Sequence, residues 1–200
     1  MDVLVPFAAS EPKTRLASIL GPDERAEFAR AMLADVCVTV SSVDVGPTVL
    51  TTEPIDCEWP TVIDDRPLSE AVNARLDPPT AVVMADLPLA TPAALSRLFD
   101  AAGDVVIAPG LGGGTNAVVV RHPAFYTAYH GASIADHRRI AADAGLEATT
   151  IDSFRLAVDV DERGDLAEVL LHGSGRAAEW LRTNGFEVAT TDGRVGVRRR

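Results

Sequence analysis

The sequence predicts a single α/β domain in which helices flank a mainly parallel mixed sheet. Three observations lead there. Short apolar runs of strand length alternate with segments whose apolar residues recur at helical spacing. The run "TAVVMADLP", Thr80 to Pro88, is almost continuously apolar and contains a carboxylate near its end, as expected of a central parallel strand buried on both faces. No internal repeat, low-complexity segment or linker interrupts the 200 residues, and 47% hydrophobic content is enough for one substantial core. The domain therefore spans 1–200, with a C-terminal helix and hairpin, 174–200, as an appendage.

In chain order, Val3–Phe7 reads as a short buried strand. A helix follows from about Asp23 to Val38, with Asp23 as N-cap after Pro22 and Glu24 in the first turn. Phe28, Met32, Leu33 and Val36 form its apolar stripe. The Pro-rich patch Pro54–Pro60 is a loop between a strand at Val49–Thr52 and a short helix at Ser69–Leu76. Beyond the Thr80–Pro88 strand come a helix at Pro92–Ala102 and strands at Val105–Ala108 and Ala117–Val120. Helices are expected at Pro123–Tyr129 and Ser133–Ala144, the second capped by Ser133 with His137 one turn later. "DSFRLAVDVDERGDLAEVLL" gives a strand and a helix, with Asp159 and Asp161 at the strand end. Helix Arg176–Thr183 and a hairpin turned at Asp192-Gly193 complete the chain.

Composition narrows the function. A net charge of −11 argues against a nucleic-acid partner, because such a surface repels a phosphate backbone. No apolar run is long enough to span a membrane, and the N-terminal residues lack a signal-peptide pattern, so a cytoplasmic protein is expected. Cys37 and Cys57 are isolated, and the four histidines show no paired ligand spacing. Lys13 is the only lysine among 18 basic residues. An acid-rich, lysine-poor chain suits a high-salt proteome; high genomic GC content would leave the same signature.

In open α/β sheets, ligands bind beyond the carboxyl ends of the strands, where Asp86, Asp159 and Asp161 fall. Hard cations such as Mg²⁺ take carboxylate oxygens together with substrate phosphates. The alternative is that Asp159 and Asp161 merely start the next helix. Lys13 and Arg15 follow the first strand at a helical turn, a suitable place for a polyphosphate. A compact ammonium serves phosphate in a way that arginine's planar fork does not reproduce, though a solvated remnant would look the same. The loop "APGLGGGTNA" has glycine at 110 and at 112–114, yet matches neither standard phosphate-loop pattern: Thr115 stands where G-x-G-x-x-G needs a glycine, and a strand follows instead of a helix.

Taken together, these segments resemble the 2-phospho-L-lactate guanylyltransferase family of deazaflavin-coenzyme biosynthesis. The resemblance rests on "VPF" (Val5–Phe7), "KTRLASIL" (Lys13–Leu20), "ERAEFARAMLADV" (Glu24–Val36), "ADLPL" (Ala85–Leu89), "VVIAP", "GGTNA" (Gly113–Ala117), "SIADH" (Ser133–His137) and "DVD" with "DL" (Asp159–Leu166). It implies a GT-A-like, Rossmann-related nucleotidyltransferase fold and transfer from GTP to a phosphorylated small acid with release of pyrophosphate. It further implies Lys13 and Arg15 at the triphosphate, with Asp86 in the catalytic and nucleotide site. Asp86, Asp159 and Asp161 would hold Mg²⁺, and Thr115, Asn116, His130 and Ser133 would lie at the acceptor. This chain reads "YHGAS" where relatives often carry "FGxxS", so His130 replaces a glycine and Gly131 is the alternative backbone contact. "DVDERGDL" also lacks a Thr-Pro often found there. The acidic composition points to an archaeal halophile and to 2-phospho-L-lactate as acceptor; phosphoenolpyruvate is the alternative. Other readings are a related molybdopterin or sugar-phosphate nucleotidyltransferase, or a non-catalytic nucleotide-binding protein. A homodimer is a family-level expectation.

Overall fold

The computed structural model of the protein describes residues 1–191 and 193–200. Its elements are β1 (Asp2–Phe7), α1 (Pro22–Ser41), β2 (Pro47–Thr51), β3 (Thr61–Ile63), α2 (Leu68–Asn73), β4 (Thr80–Val83), α3 (Pro92–Asp100), β5 (Val105–Pro109), β6 (Thr115–Val120), α4 (Ser133–Asp143), β7 (Ala148–Thr150), α5 (Phe154–Ala157), α6 (Asp165–His172), α7 (Arg176–Thr183), β8 (Phe186–Thr191) and β9 (Arg194–Arg199). A seven-stranded sheet has the order β3-β2-β1-β4-β6-β5-β7, and β8-β9 form a separate antiparallel pair. All pairings in the large sheet are parallel except those of β6, which runs antiparallel to both β4 and β5.

Strand periodicity divides the core between the two faces of the sheet. Ala81, Val83, Val106, Ala108, Ala117 and Val119 pack on one face with α1, α3 and the later helices. Their alternate neighbours Val82, Val105, Ile107, Val118 and Val120 pack on the other face with α2 and α4. The strands therefore read as unbroken apolar runs because both of their faces are covered.

Several expected details change. Helix α1 is capped at Gly21, not Asp23: Pro22 occupies the first turn, and Glu24 reaches back to accept from the Gly21 N–H at 2.8 Å. Pro123–Tyr129 is not a helix, because its backbone donors are taken by side chains. Thr127 N–H donates to Asn73 Oδ1, Ala128 N–H to His137 Nε2 and Tyr129 N–H to Ser69 Oγ. Ser133 lies inside α4, and Ala132 holds the cap position. The "DSFRLAV" segment forms the short helix α5 instead of a strand. In the sheet, β6 is paired on both sides and β7 occupies the second side of β5, so neither of those strands pairs with it. Strands β3 and β7, three residues each, were not anticipated. The expected turn at Asp192-Gly193 includes Asp192, which lies outside the described residues; the strands on either side pair as anticipated.

The appendage is held to α1 by a contact that sequence spacing does not reveal. Asp35 of α1 accepts from the N–H groups of Arg176 (2.7 Å) and Ala177 (2.9 Å), capping α7 from a distant part of the chain. Phe28 and Trp180 pack with ring centroids 5.3 Å apart.

Candidate active site

Strand β1 has β2 on one side and β4 on the other, so the chain order reverses there and a crevice opens at the carboxyl ends of β1 and β4. The loop after β1 brings Lys13 into this crevice, and the loop after β4 brings Asp86. Lys13 Nζ lies 2.6 Å from Asp86 Oδ2 and 2.8 Å from Asp161 Oδ1. Arg15, largely exposed, extends a guanidinium nitrogen to 3.5 Å from Asp161 Oδ2. The single lysine thus joins three segments distant in sequence.

Lys13 adopts φ 55° and ψ 44°, left-handed geometry rare outside glycine. That conformation costs on the order of 1 kcal/mol and is of the kind that collects at functional sites. Burial opposes the ammonium charge, but Asp86 and Asp161 outweigh it and raise the lysine pKa above its ordinary value. Burial also raises the Asp86 carboxyl, against the pull of Lys13. The two directions are compatible because Lys13 has a second, more exposed carboxylate partner in Asp161.

Asp86 Oδ1 is buried and has no hydrogen-bond partner. An orphaned carboxylate oxygen beside a second convergent carboxylate suits a hard cation. Among the described residues, no three acidic, histidine or cysteine side chains gather as a complete metal cage. Asp159 instead accepts from Asn116 Nδ2 at 3.0 Å. One or two carboxylates are the usual protein share of a Mg²⁺ site completed by substrate phosphate.

Asp159 and Asp161 precede α6, which begins at Asp165, so neither starts that helix. Asp165 supports them: its Oδ2 accepts from the N–H groups of Asp161 (2.9 Å) and Glu162 (2.7 Å). The N–H of Val160 donates to the Asp86 carbonyl at 3.1 Å, tying this segment to the end of β4.

Two clefts meet at Arg15 and Asp161, which line both. One runs over Phe7, Ala8, Lys13, Met84 and Asp86. The other is bounded by Gly112, Gly114, Gly131, Asp159 and Asp165. The glycine loop gains its shape from two positions in particular. A Cβ at Gly110 would sit 2.5 Å from Asn116 Oδ1, and Gly113 has φ +82°. At Gly112 there is open space, so that glycine is not demanded by packing.

The remaining expected residues take unequal places. Thr115, next to the cleft-lining Gly114, and Ser133 are buried, and the Thr115 hydroxyl is 2.8 Å from His137 Nδ1. Asn116 is also buried, and its amide donates to the Leu156 carbonyl as well as to Asp159. His130 points outward to Asp136, 3.4 Å away, while Gly131 lines the cleft. His137 and Asp165 lie in the "SIADH" and "DL" segments, yet their supporting contacts were not expected from the sequence. A histidine one turn into a helix and an acid at a helix start look like ordinary helix residues.

The fold is shared with solved structures whose sequences differ widely. One from Desulfovibrio desulfuricans, described as a nucleotide-diphospho-sugar transferase, superposes with TM-score 0.72 at 18% identity, covering 92% of this chain and 96% of that one. A nucleotidyl transferase from Methanothermobacter thermautotroptrophicus gives TM-score 0.56 at 16% identity, covering 92% and 99%. The chain therefore shares the fold of these structures, with its crevice at the carboxyl ends of β1 and β4.

The family described as "Guanylyl transferase CofC like" matches residues 1–200, and the chain belongs to it. The 2-phospho-L-lactate guanylyltransferase of Natronomonas pharaonis is 65% identical over 200 residues, covering 100% of both chains. That of Halomicrobium mukohataei is 63% identical over 202 residues, again covering 100% of both.

Proposed function

We propose that the protein transfers the guanylyl group of GTP to 2-phospho-L-lactate, releasing pyrophosphate and forming lactyl-diphospho-guanosine for deazaflavin coenzyme biosynthesis. The observation that carries this reading is the pair of clefts joined at Arg15 and Asp161, with Lys13 held by Asp86 and Asp161 at the junction. The nucleotide belongs to the Lys13 side and the acceptor to the glycine-loop side.

In this reaction an ionised phosphate oxygen of the acceptor forms a bond to the α-phosphorus. The bond from that phosphorus to the bridging oxygen of the β-phosphate breaks, and pyrophosphate leaves with the electron pair. The acceptor phosphate is already deprotonated, so the residues need supply no general base. Their task is to bring anions together on an acidic protein. Lys13 and Arg15 bind the β- and γ-phosphate oxygens and stabilise charge accumulating on the leaving group. Asp86 and Asp161, with Asp159 beside them, would hold Mg²⁺. When bound, the ion neutralises negative charge around the α-phosphate. The orphaned Asp86 Oδ1 supports its place there. Asn116 keeps Asp159 oriented, and Thr115, Ser133 and the Gly131 backbone hold the acceptor.

The acidic composition supports function in high salt, where carboxylates maintain surface hydration. Incubation of the purified protein with GTP, 2-phospho-L-lactate and Mg²⁺ in high salt tests the reaction. Phosphorus NMR should show a diphosphate linking guanosine to the lactyl group. A parallel incubation with phosphoenolpyruvate in place of 2-phospho-L-lactate that alone gave an adduct would overturn the acceptor assignment. Asp161→Asn should lower turnover and shift the Mg²⁺ dependence; unchanged values for both would remove Asp161 from the metal site.

A further inference from the structure

We propose that His137 is a positioning residue that fixes the Thr115 hydroxyl as a hydrogen-bond donor to the acceptor's phosphate. This inference rests on the reading of Thr115 as an acceptor contact. The Ala128 N–H can only donate, and it does so to His137 Nε2 at 2.8 Å. Nε2 therefore carries no proton. The other ring nitrogen, Nδ1, lies 2.8 Å from Thr115 Oγ1. In a neutral imidazole with Nε2 as acceptor, the proton resides on Nδ1 and is donated to the threonine oxygen.

The surroundings keep the imidazole neutral. His137 is fully buried, with the rings of Tyr129 and Phe125 centred 5.2 and 5.8 Å from its own. Burial pushes its pKa down to about 4, the influence of Asp136 acting upward and that of His130 downward. A hydroxyl that already accepts from Nδ1–H retains its own hydrogen for another partner. An anionic phosphate can only accept, so the imposed direction suits it. The same helix is tied to the glycine loop by Ile134 N–H donating to the Gly113 carbonyl at 3.2 Å, which maintains the spacing of His137 and Thr115.

Two substitutions separate positioning from packing. Asn places an amide N–H near the position of imidazole Nδ1, so His137→Asn should keep donation to Thr115. Gln places its amide nearer Nε2, so His137→Gln should keep the Ala128 contact and lose that donation. His137→Gln should raise KM for 2-phospho-L-lactate about ten-fold with KM for GTP unchanged, while His137→Asn stays near wild type. Nitrogen-15 NMR of the wild-type protein should show His137 protonated at Nδ1 and bare at Nε2. Equal acceptor KM values in the two variants, or a proton on Nε2, would overturn the inference. The NMR result decides alone if either variant fails to fold. Thr115→Val provides the separate check on the underlying reading. It should raise acceptor KM with GTP KM unchanged; no change would overturn both readings, whereas a rise in Thr115→Val with none in His137→Gln would overturn only the role of His137.

Discussion

Along the wall formed by the ends of β1 and β4, the central contacts are charged: Lys13 meets Asp86 and Asp161 within 2.8 Å. On the facing wall, the glycine loop and α4 rely on neutral groups, with Thr115 against His137 and the Asn116 amide across to Leu156 and Asp159. The charged wall is organised around a cation, and the neutral wall by directed hydrogen bonds. A triphosphate brings more charge to the cleft than a single phosphate does. The first wall therefore has to offset repulsion, and the second has mainly to orient.

The largest test breaks the charged wall. Lys13→Met should lower turnover about a thousand-fold, on the scale of losing a key transition-state donor. In steady-state kinetics, the loss should not be recovered by raising the acceptor concentration. A change confined to acceptor KM would assign Lys13 to the wrong wall.

Acid should act first on the neutral wall. His137 has a folded pKa of about 4 against an ordinary value of 6.5, so the native state binds fewer protons than the unfolded chain between those values. Its contribution to stability is full above about pH 6.5 and falls as pH drops through 4, by on the order of 3 kcal/mol. Thermal unfolding between pH 7 and 4 should show a smaller acid loss in His137→Gln than in wild type.

Gly110→Ala sharpens the link between the walls. Its new methyl group would meet Asn116, displacing the amide from Asp159. A stability loss of about 1–3 kcal/mol is expected, together with a raised acceptor KM. The smallest effect belongs to a site remote from both walls. Asp35→Ala should remove the cap from α7 and cost about 1 kcal/mol in chemical denaturation, leaving turnover per folded molecule unchanged.

These contrasts also explain what could be read before the structure. The central strands were legible because they are buried on both faces, giving apolar runs that alternate with helical stripes; the short, largely exposed edge strands β3 and β7 give no such run. The charged wall was legible through a solitary lysine and through Asp86 beyond β4, whereas Asp161 was singled out at the end of an expected strand that is helix α5. The neutral wall was less so. Ser133 has the character of a cap, yet it is the first residue of α4 and Ala132 holds the cap position, and Pro123–Tyr129 has a helical pattern although its donors go to Asn73, His137 and Ser69. Those partners are 9 to 60 residues away, beyond any local pattern. The exchange between Asp159 and Asn116 spans 43 residues and was hidden for the same reason.

Pyrophosphate release by the wild-type protein tests the central claim most directly. The assay crosses GTP and ATP with 2-phospho-L-lactate and phosphoenolpyruvate, in high salt with Mg²⁺, and includes each nucleotide alone. Release that requires both GTP and 2-phospho-L-lactate is the predicted result. Release from GTP at the same rate without an acceptor, or no release with either acceptor, would contradict the account.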